Sequence, residues 1–161
     1  HGIDTVIDAD NQTIWQPDTE KRIAMTRENA AIICNMLEGV IAEGTGKSAR
    51  SIRQPIAGKT GTTNQYKDAL FAGFSPSIAA GVWAGCDDYS SLGEGETGAR
   101  AALPVWMDFM EKAVADQTYK YFDVPDNTVY LQIDPNTGQP AAESQKGVTA
   151  LFLKTNRPKS R

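Results

Sequence analysis

Histidine is almost missing from this chain: among 161 residues it occurs only as His1, and the cysteines are two, Cys34 and Cys86, without CxxC spacing. A Ser-His-Asp triad needs a histidine placed by the fold, and a structural zinc site needs a set of His and Cys ligands. Neither supply exists, so no metal and no cofactor is expected, and any catalysis falls to Lys, Ser, Thr, Asp, Glu or backbone groups. A basic block is missing too. The 16 basic side chains are dispersed among 20 acidic ones for a net charge of −4, which leaves no footprint for nucleic acid. No apolar run approaches the roughly 20 residues that cross a bilayer, and His1-Gly2-Ile3-Asp4 does not open a signal peptide. Those two absences leave the compartment open, because a piece of a larger protein can have left its targeting segment behind.

What is present is ordinary globular material, 40% hydrophobic and 22% charged, enough for one domain or a large piece of one. Thr5-Val6-Ile7 and Thr13-Ile14-Trp15 flank the turn-forming Asp8-Ala9-Asp10-Asn11, predicting a hairpin over 3–17. A helix over 26–43 follows, with Thr26 as N-cap, Glu28 in its first turn, Ile33, Leu37, Val40 and Ile41 at helical spacing, and Gly44 and Gly46 to stop it. Strand-like segments then fill 56–85 as a three-strand antiparallel meander, turned at Ser75-Pro76-Ser77. Pro104 suits the first turn of a second helix over 103–115, whose stripe is Trp106, Phe109, Met110, Ala113 and Val114. A terminal hairpin over 128–153, around Asp134-Pro135-Asn136-Thr137-Gly138, completes the chain before a polar tail from Asn156 that is expected to fray. The fold class is α+β: an antiparallel sheet flanked by helices, each with one apolar face to lay against it.

The chemistry sits in Gly58-Lys59-Thr60-Gly61-Thr62-Thr63-Asn64. In a strand, side chains alternate, so Thr60 and Thr62 share one face and Lys59 and Gly61 the other. Two successive hydroxyls on one face can donate to a carboxylate, and Lys59 adds positive charge from behind. Gly61 leaves room for another element near the backbone, and at a sheet edge the Thr62 N–H is free to stabilise an oxyanion. A threonine-rich strand with one lysine is also what a plain solvated strand looks like, so the surrounding order of segments has to decide.

That order is Glu43-Gly44-Thr45-Gly46 at the end of a helix, then Ala57-Gly58-Lys59-Thr60-Gly61-Thr62-Thr63-Asn64. Asp68-Ala69-Leu70-Phe71-Ala72-Gly73-Phe74, Val82-Trp83-Ala84-Gly85-Cys86-Asp87-Asp88 and Ala101-Ala102-Leu103-Pro104-Val105-Trp106 follow. From about Thr26 to Met110, and more weakly through the final hairpin, the chain resembles the C-terminal half of the transpeptidase domain of class A penicillin-binding proteins. The resemblance implies a β-lactamase/transpeptidase-like fold and a serine-type D-Ala-D-Ala transpeptidase. In that family an SxxK serine attacks the penultimate D-Ala carbonyl of a peptidoglycan stem peptide, expels the terminal D-Ala, and passes the acyl group to an amine. β-Lactams trap the acyl-enzyme. Carried over, Lys59 supports the serine of an SxN motif and the field of the cleft, Thr60 and Thr62 hold the ligand carboxylate, the Thr62 N–H is one oxyanion donor, and Gly61 keeps the strand close to the catalytic helix.

No Ser-x-x-Lys and no Ser-x-Asn occurs in these residues. In the family both precede KTG, so the resemblance implies that an N-terminal fragment of the same domain supplies them with further strands of the sheet, and that this polypeptide is inactive alone. It further implies an extracytoplasmic, periplasmic location, with membrane attachment only through an anchor of the parent protein. Leu70 and Cys86 stand where the family usually has aromatics, and both read as core substitutions. Cys34 and Cys86 are read as free thiols, with pairing left open. A D,D-carboxypeptidase or β-lactamase-like hydrolase would share the strand, and a non-catalytic partner-binding module built on the terminal hairpin is the reading from another class. Glu43-Gly44-Thr45-Gly46-Lys47-Ser48 also resembles the end of a P-loop, but Ile41 stands where a glycine is needed and a helix, not a strand, leads in.

Overall fold

The computed structural model describes residues 3–18, 22–142 and 147–159. A short hairpin, β1 (Val6–Ile7) and β2 (Thr13–Trp15), opens the chain. Its turn is closed by Asp8, whose carboxylate accepts from the N–H groups of Asp10 and Gln12 at 3.0 and 2.8 Å. Helix α1 (Arg27–Ala42) starts where Thr26 Oγ1 accepts from the Asn29 N–H at 3.3 Å. It ends where the Gly44 and Gly46 N–H groups both reach the Val40 carbonyl, at 3.0 and 3.2 Å.

Three antiparallel strands form the central sheet in the order β3 (Ala57–Thr62), β4 (Asp68–Phe74), β5 (Ala79–Gly85). Register places Thr60, Phe71 and Val82 in one row and Gly61, Leu70 and Trp83 in the next, so the rows face opposite sides. The Phe71 side is sealed by α2 (Leu103–Val114), which follows a π-helical turn over Gly98–Ala102. Trp106 meets Phe71 edge to face at a centroid distance of 4.8 Å and donates its indole N–H to the Ala80 carbonyl at 2.9 Å. Leu103, Met110, Val114, Ile41, Ile52 and Ile56 complete this core.

Several expectations change here. Phe109 is not part of the buried stripe; it is 51% exposed, because Leu103, Trp106, Met110 and Val114, three or four residues apart, are the ones that look squarely at a sheet this narrow. Ile33 on α1 is likewise exposed. Leu70 is not a core residue but 40% exposed, since the pleat turns it away from Phe71; Cys86 is half-buried. The two helices do not share the sheet face equally. Helix α1 lies beside β3 and touches the terminal hairpin, β6 (Thr128–Ile133) and β7 (Val148–Leu153). That hairpin is a separate two-stranded sheet, tied to α1 by the Leu151 N–H on Asn35 Oδ1 at 2.9 Å. Cys34 and Cys86 are free thiols. The polar tail is described only to Lys159, so the remainder of the fraying expectation lies outside the described residues.

Candidate active site

All four residues singled out by sequence lie on β3, and among the described residues no strand pairs with its outer edge. The direction of each amide follows from one bond. The Thr63 N–H donates to the Asp68 carbonyl at 3.0 Å, towards β4. Amides alternate along a strand, so the N–H groups of Thr62 and Thr60 project from the opposite, open edge. Lys59 Nζ, 2.7 Å from the Thr60 carbonyl oxygen, marks that edge as well.

Alternation puts Lys59 and Thr60 on opposite faces, yet the lysine stem is long enough to carry its ammonium round the strand edge. It ends 3.4 Å from Thr60 Oγ1, so charge and hydroxyl stand side by side and not on either side of the sheet. The Thr60 hydroxyl also meets Thr45 Oγ1 at 2.8 Å. The Thr62 hydroxyl accepts the Gly98 N–H at 3.0 Å, at the start of the turn that leads into α2. Each hydroxyl is therefore engaged by a protein partner and held at the open edge, half-buried for Thr60 and exposed for Thr62.

Among the described residues the close backbone approach at this strand is made by Gly98. A Cβ on Gly98 would lie 2.2 Å from the Leu70 carbonyl oxygen and 2.5 Å from that of Gly61. A Cβ on Gly61 would point to the other side, 3.3 Å from Leu70 Cβ. Beyond Thr62 the edge continues into a polar hollow of about 500 Å³ lined by Thr62, Thr63, Asn64, Gln65, Lys67 and Tyr89. Its walls are pinned together: Ser91 Oγ donates to the Gln65 carbonyl at 2.7 Å, and the Leu92 N–H to the Tyr66 carbonyl at 2.9 Å. Gln65, Tyr66 and Tyr89 all carry positive φ, and Lys67 Nζ sits 4.4 Å above the centre of the Tyr89 ring. Among the described residues no group of His, Cys, Asp and Glu is arranged to hold a metal.

The family described as penicillin binding protein transpeptidase domain matches residues 3–104. The chain belongs to this family. It is 33% identical over 156 residues, 97% of its length, to penicillin-binding protein 1A of Aquifex aeolicus, and 40% identical over 137 residues, 84% of its length, to penicillin-binding protein 1A of Pseudomonas aeruginosa. A crystal structure of penicillin-binding protein 1A from Haemophilus influenzae superposes with a TM-score of 0.76 at 25% identity, covering 98% of this chain. The chain spans 22% and 16% of the two relatives and 29% of the crystallised chain. This likeness extends to the mixed helix and antiparallel-sheet architecture of the class A type.

Two residues beside the penicillin-binding protein strand were not singled out by sequence as site groups, Thr45 and Gly98. Thr45 is the middle of a helix-stopping Gly-Thr-Gly, and Gly98 follows Gly93 and Gly95 in a loop with no motif of its own. The P-loop alternative for 43–48 has no support in the fold: α1 leads in, and a 3-10 turn, Lys47–Ser51, leads out.

Proposed function

We propose that this chain contributes the carboxylate-binding and oxyanion-stabilising edge of a serine D,D-transpeptidase that acts on D-Ala-D-Ala stem peptides of peptidoglycan and is trapped by β-lactams. The observation that carries the reading is the Thr62 N–H at an open strand edge, flanked by two hydroxyls that each accept from the protein, Thr60 from Lys59 Nζ at 3.4 Å and Thr62 from the Gly98 N–H at 3.0 Å. A hydroxyl that accepts from the protein keeps its proton for a ligand, and a carboxylate is the ligand that takes two such protons beside an ammonium.

The chemistry then runs as follows. A serine Oγ, supplied by another segment of the domain carrying the SxxK and SxN motifs, attacks the penultimate D-Ala carbonyl and loses its proton to a base on that segment. The carbonyl oxygen gains the electron pair and is met by the Thr62 N–H, an arrangement whose loss elsewhere costs about 10²–10³ in rate. Collapse of the intermediate breaks the peptide bond, and the leaving D-Ala amine takes a proton. An acceptor amine then displaces the serine from the acyl group. Until the terminal D-Ala leaves, Thr60 and Thr62 hold its carboxylate, and the Lys59 charge favours its presence. Gly61 keeps a side chain off β3 on the Leu70 side. The active site lies on the extracytoplasmic side of the cell membrane, where the substrate is; no helix among the described residues is long and apolar enough to cross it.

Fluorescent penicillin tests this directly. The 161-residue chain alone is expected to take no covalent label, and a longer transpeptidase that includes it is expected to take one label at a serine outside this sequence. Labelling of the isolated chain, or an unlabelled longer protein, would overturn the proposal. Product analysis with a D-Ala-D-Ala peptide and an amine acceptor separates transfer from simple hydrolysis.

A further inference from the structure

We propose that Thr45 is a positioning residue for carboxylate recognition: its hydroxyl donates to Thr60 Oγ1 and so turns the Thr60 proton outward to the ligand. The inference rests on the carboxylate-binding reading of Thr60 given above. Its starting point is the 2.8 Å contact between the two hydroxyl oxygens, in which either can be the donor.

Counting protons decides the direction. Thr60 Oγ1 has one proton and two lone pairs, and Lys59 Nζ, at 3.4 Å, can only donate to it. If Thr60 spends its proton on Thr45, the ligand carboxylate meets only lone pairs, which repel it. If Thr45 donates instead, both Thr60 lone pairs are filled and the single proton must point away from its two partners, to the open edge. A carboxylate there makes the second arrangement the favoured one, because a charge-assisted bond is the stronger.

The fold keeps Thr45 from withdrawing. It stands between Gly44 and Gly46, whose N–H groups both hang on the Val40 carbonyl at 3.0 and 3.2 Å. A Cβ on Gly44 would come 2.9 Å from that oxygen, and one on Gly46 2.6 Å from Ile41 Cδ1, so the turn is pressed onto the last turn of α1. Arg50 Nε, donating to the Ile41 carbonyl at 3.1 Å, ties down the following segment. Thr45 thus reaches Thr60 from a rigid mount on a different element.

The test uses the longer transpeptidase that contains this chain. Rates of acylation are compared for a penicillin with its free carboxylate and for the methyl ester of the same compound, in the wild type, Thr45→Val, Thr45→Ser and Thr60→Val. Valine keeps the shape and removes the donor. Thr45→Val is expected to slow the acid about tenfold, the scale of one hydrogen bond to a charged group, and to leave the ester within about twofold. Thr45→Ser restores the acid rate. In Thr60→Val the acid loses its advantage over the ester, and adding Thr45→Val changes nothing further. Equal effects of Thr60→Val on acid and ester, or none, would overturn the carboxylate reading itself. A selective Thr60→Val with a Thr45→Val that slows both compounds alike, or neither, would overturn the role of Thr45 alone.

Discussion

The two faces of the central sheet receive the same strands and meet opposite fates. Phe71 has no exposed surface, while its neighbour on β4, Leu70, and the partner of Leu70 on β5, Trp83, stand open to solvent, Trp83 at 56%. The sealed face gains its stability from close packing against α2; Thr60 and Thr62 lie in register with that face and can meet a ligand because β3 is an open edge. A rigid inner face fixes where those groups stand, and rigidity on one side is what lets the other side stay uncovered without drifting.

The comparison is broken most forcefully at its two tryptophans. Trp106→Ala removes a fully buried ring and leaves the Ala80 carbonyl without its indole donor, so a loss of about 3–5 kcal/mol in unfolding free energy is expected. Trp83→Ala removes a ring that lies over Gly85 at the surface and one bond to Asp68 Oδ1, and is expected to cost about 1 kcal/mol or less. Urea unfolding followed by far-UV circular dichroism reads both. Equal costs would mean that the outer face is as load-carrying as the inner one, and the contrast would be lost.

A smaller effect sharpens the comparison at the junction of the two. Gly98→Ala drives a methyl group into the carbonyls of Leu70 and Gly61 and must lift the π-helical turn off the sheet, at the overpacking cost of about 1–3 kcal/mol. The same shift pulls the Gly98 N–H from Thr62 Oγ1. Thermal unfolding is expected to show the lower midpoint, and a stability equal to wild type would mean that the turn slides aside freely.

How far the residues announced all this depends on the range of the interaction. Local signals were legible: the Thr26 cap, the glycines after α1 and the Ser75 turn each act within a few residues, and α1 runs Arg27–Ala42 between cap and glycines while β4 ends at Phe74 and β5 begins at Ala79. Lys59 to Thr62 could be read as a strand with two hydroxyls in line. Which face is covered could not be read, because period-two alternation is the same for a buried and an open side, and Leu70 was misjudged for that reason. Phe109 was misjudged because a wide apolar stripe does not tell how wide a surface it will meet. Thr45 and Gly98 stayed out of view because their partners lie 15 and 36 residues away and meet them only when the chain closes.

The mildest effect is expected at the other junction, where the terminal hairpin rests on α1. Burial holds the Glu38 carboxyl above its usual range, against the opposing hydrogen bond from Asn35. The same burial raises the Cys34 thiol and the Tyr130 hydroxyl, with the Glu38 charge adding to each. Around Glu38 an open hollow of about 400 Å³ is bordered by Asn35, Glu43, Val148 and Thr149, none of them a cation. A carboxyl whose native pKa is raised contributes its stability below the ordinary glutamate range and loses it as pH rises through the raised value. Attachment of the hairpin should therefore loosen from acid towards neutral pH, and Glu38→Gln should remove that dependence. The Leu151 amide, held by Asn35 across the junction, is the reporter: its hydrogen-exchange protection in wild type should fall relative to Glu38→Gln as pH rises. A ratio between the two proteins that stays flat with pH would show that the Glu38 charge is solvated well enough to be indifferent to docking.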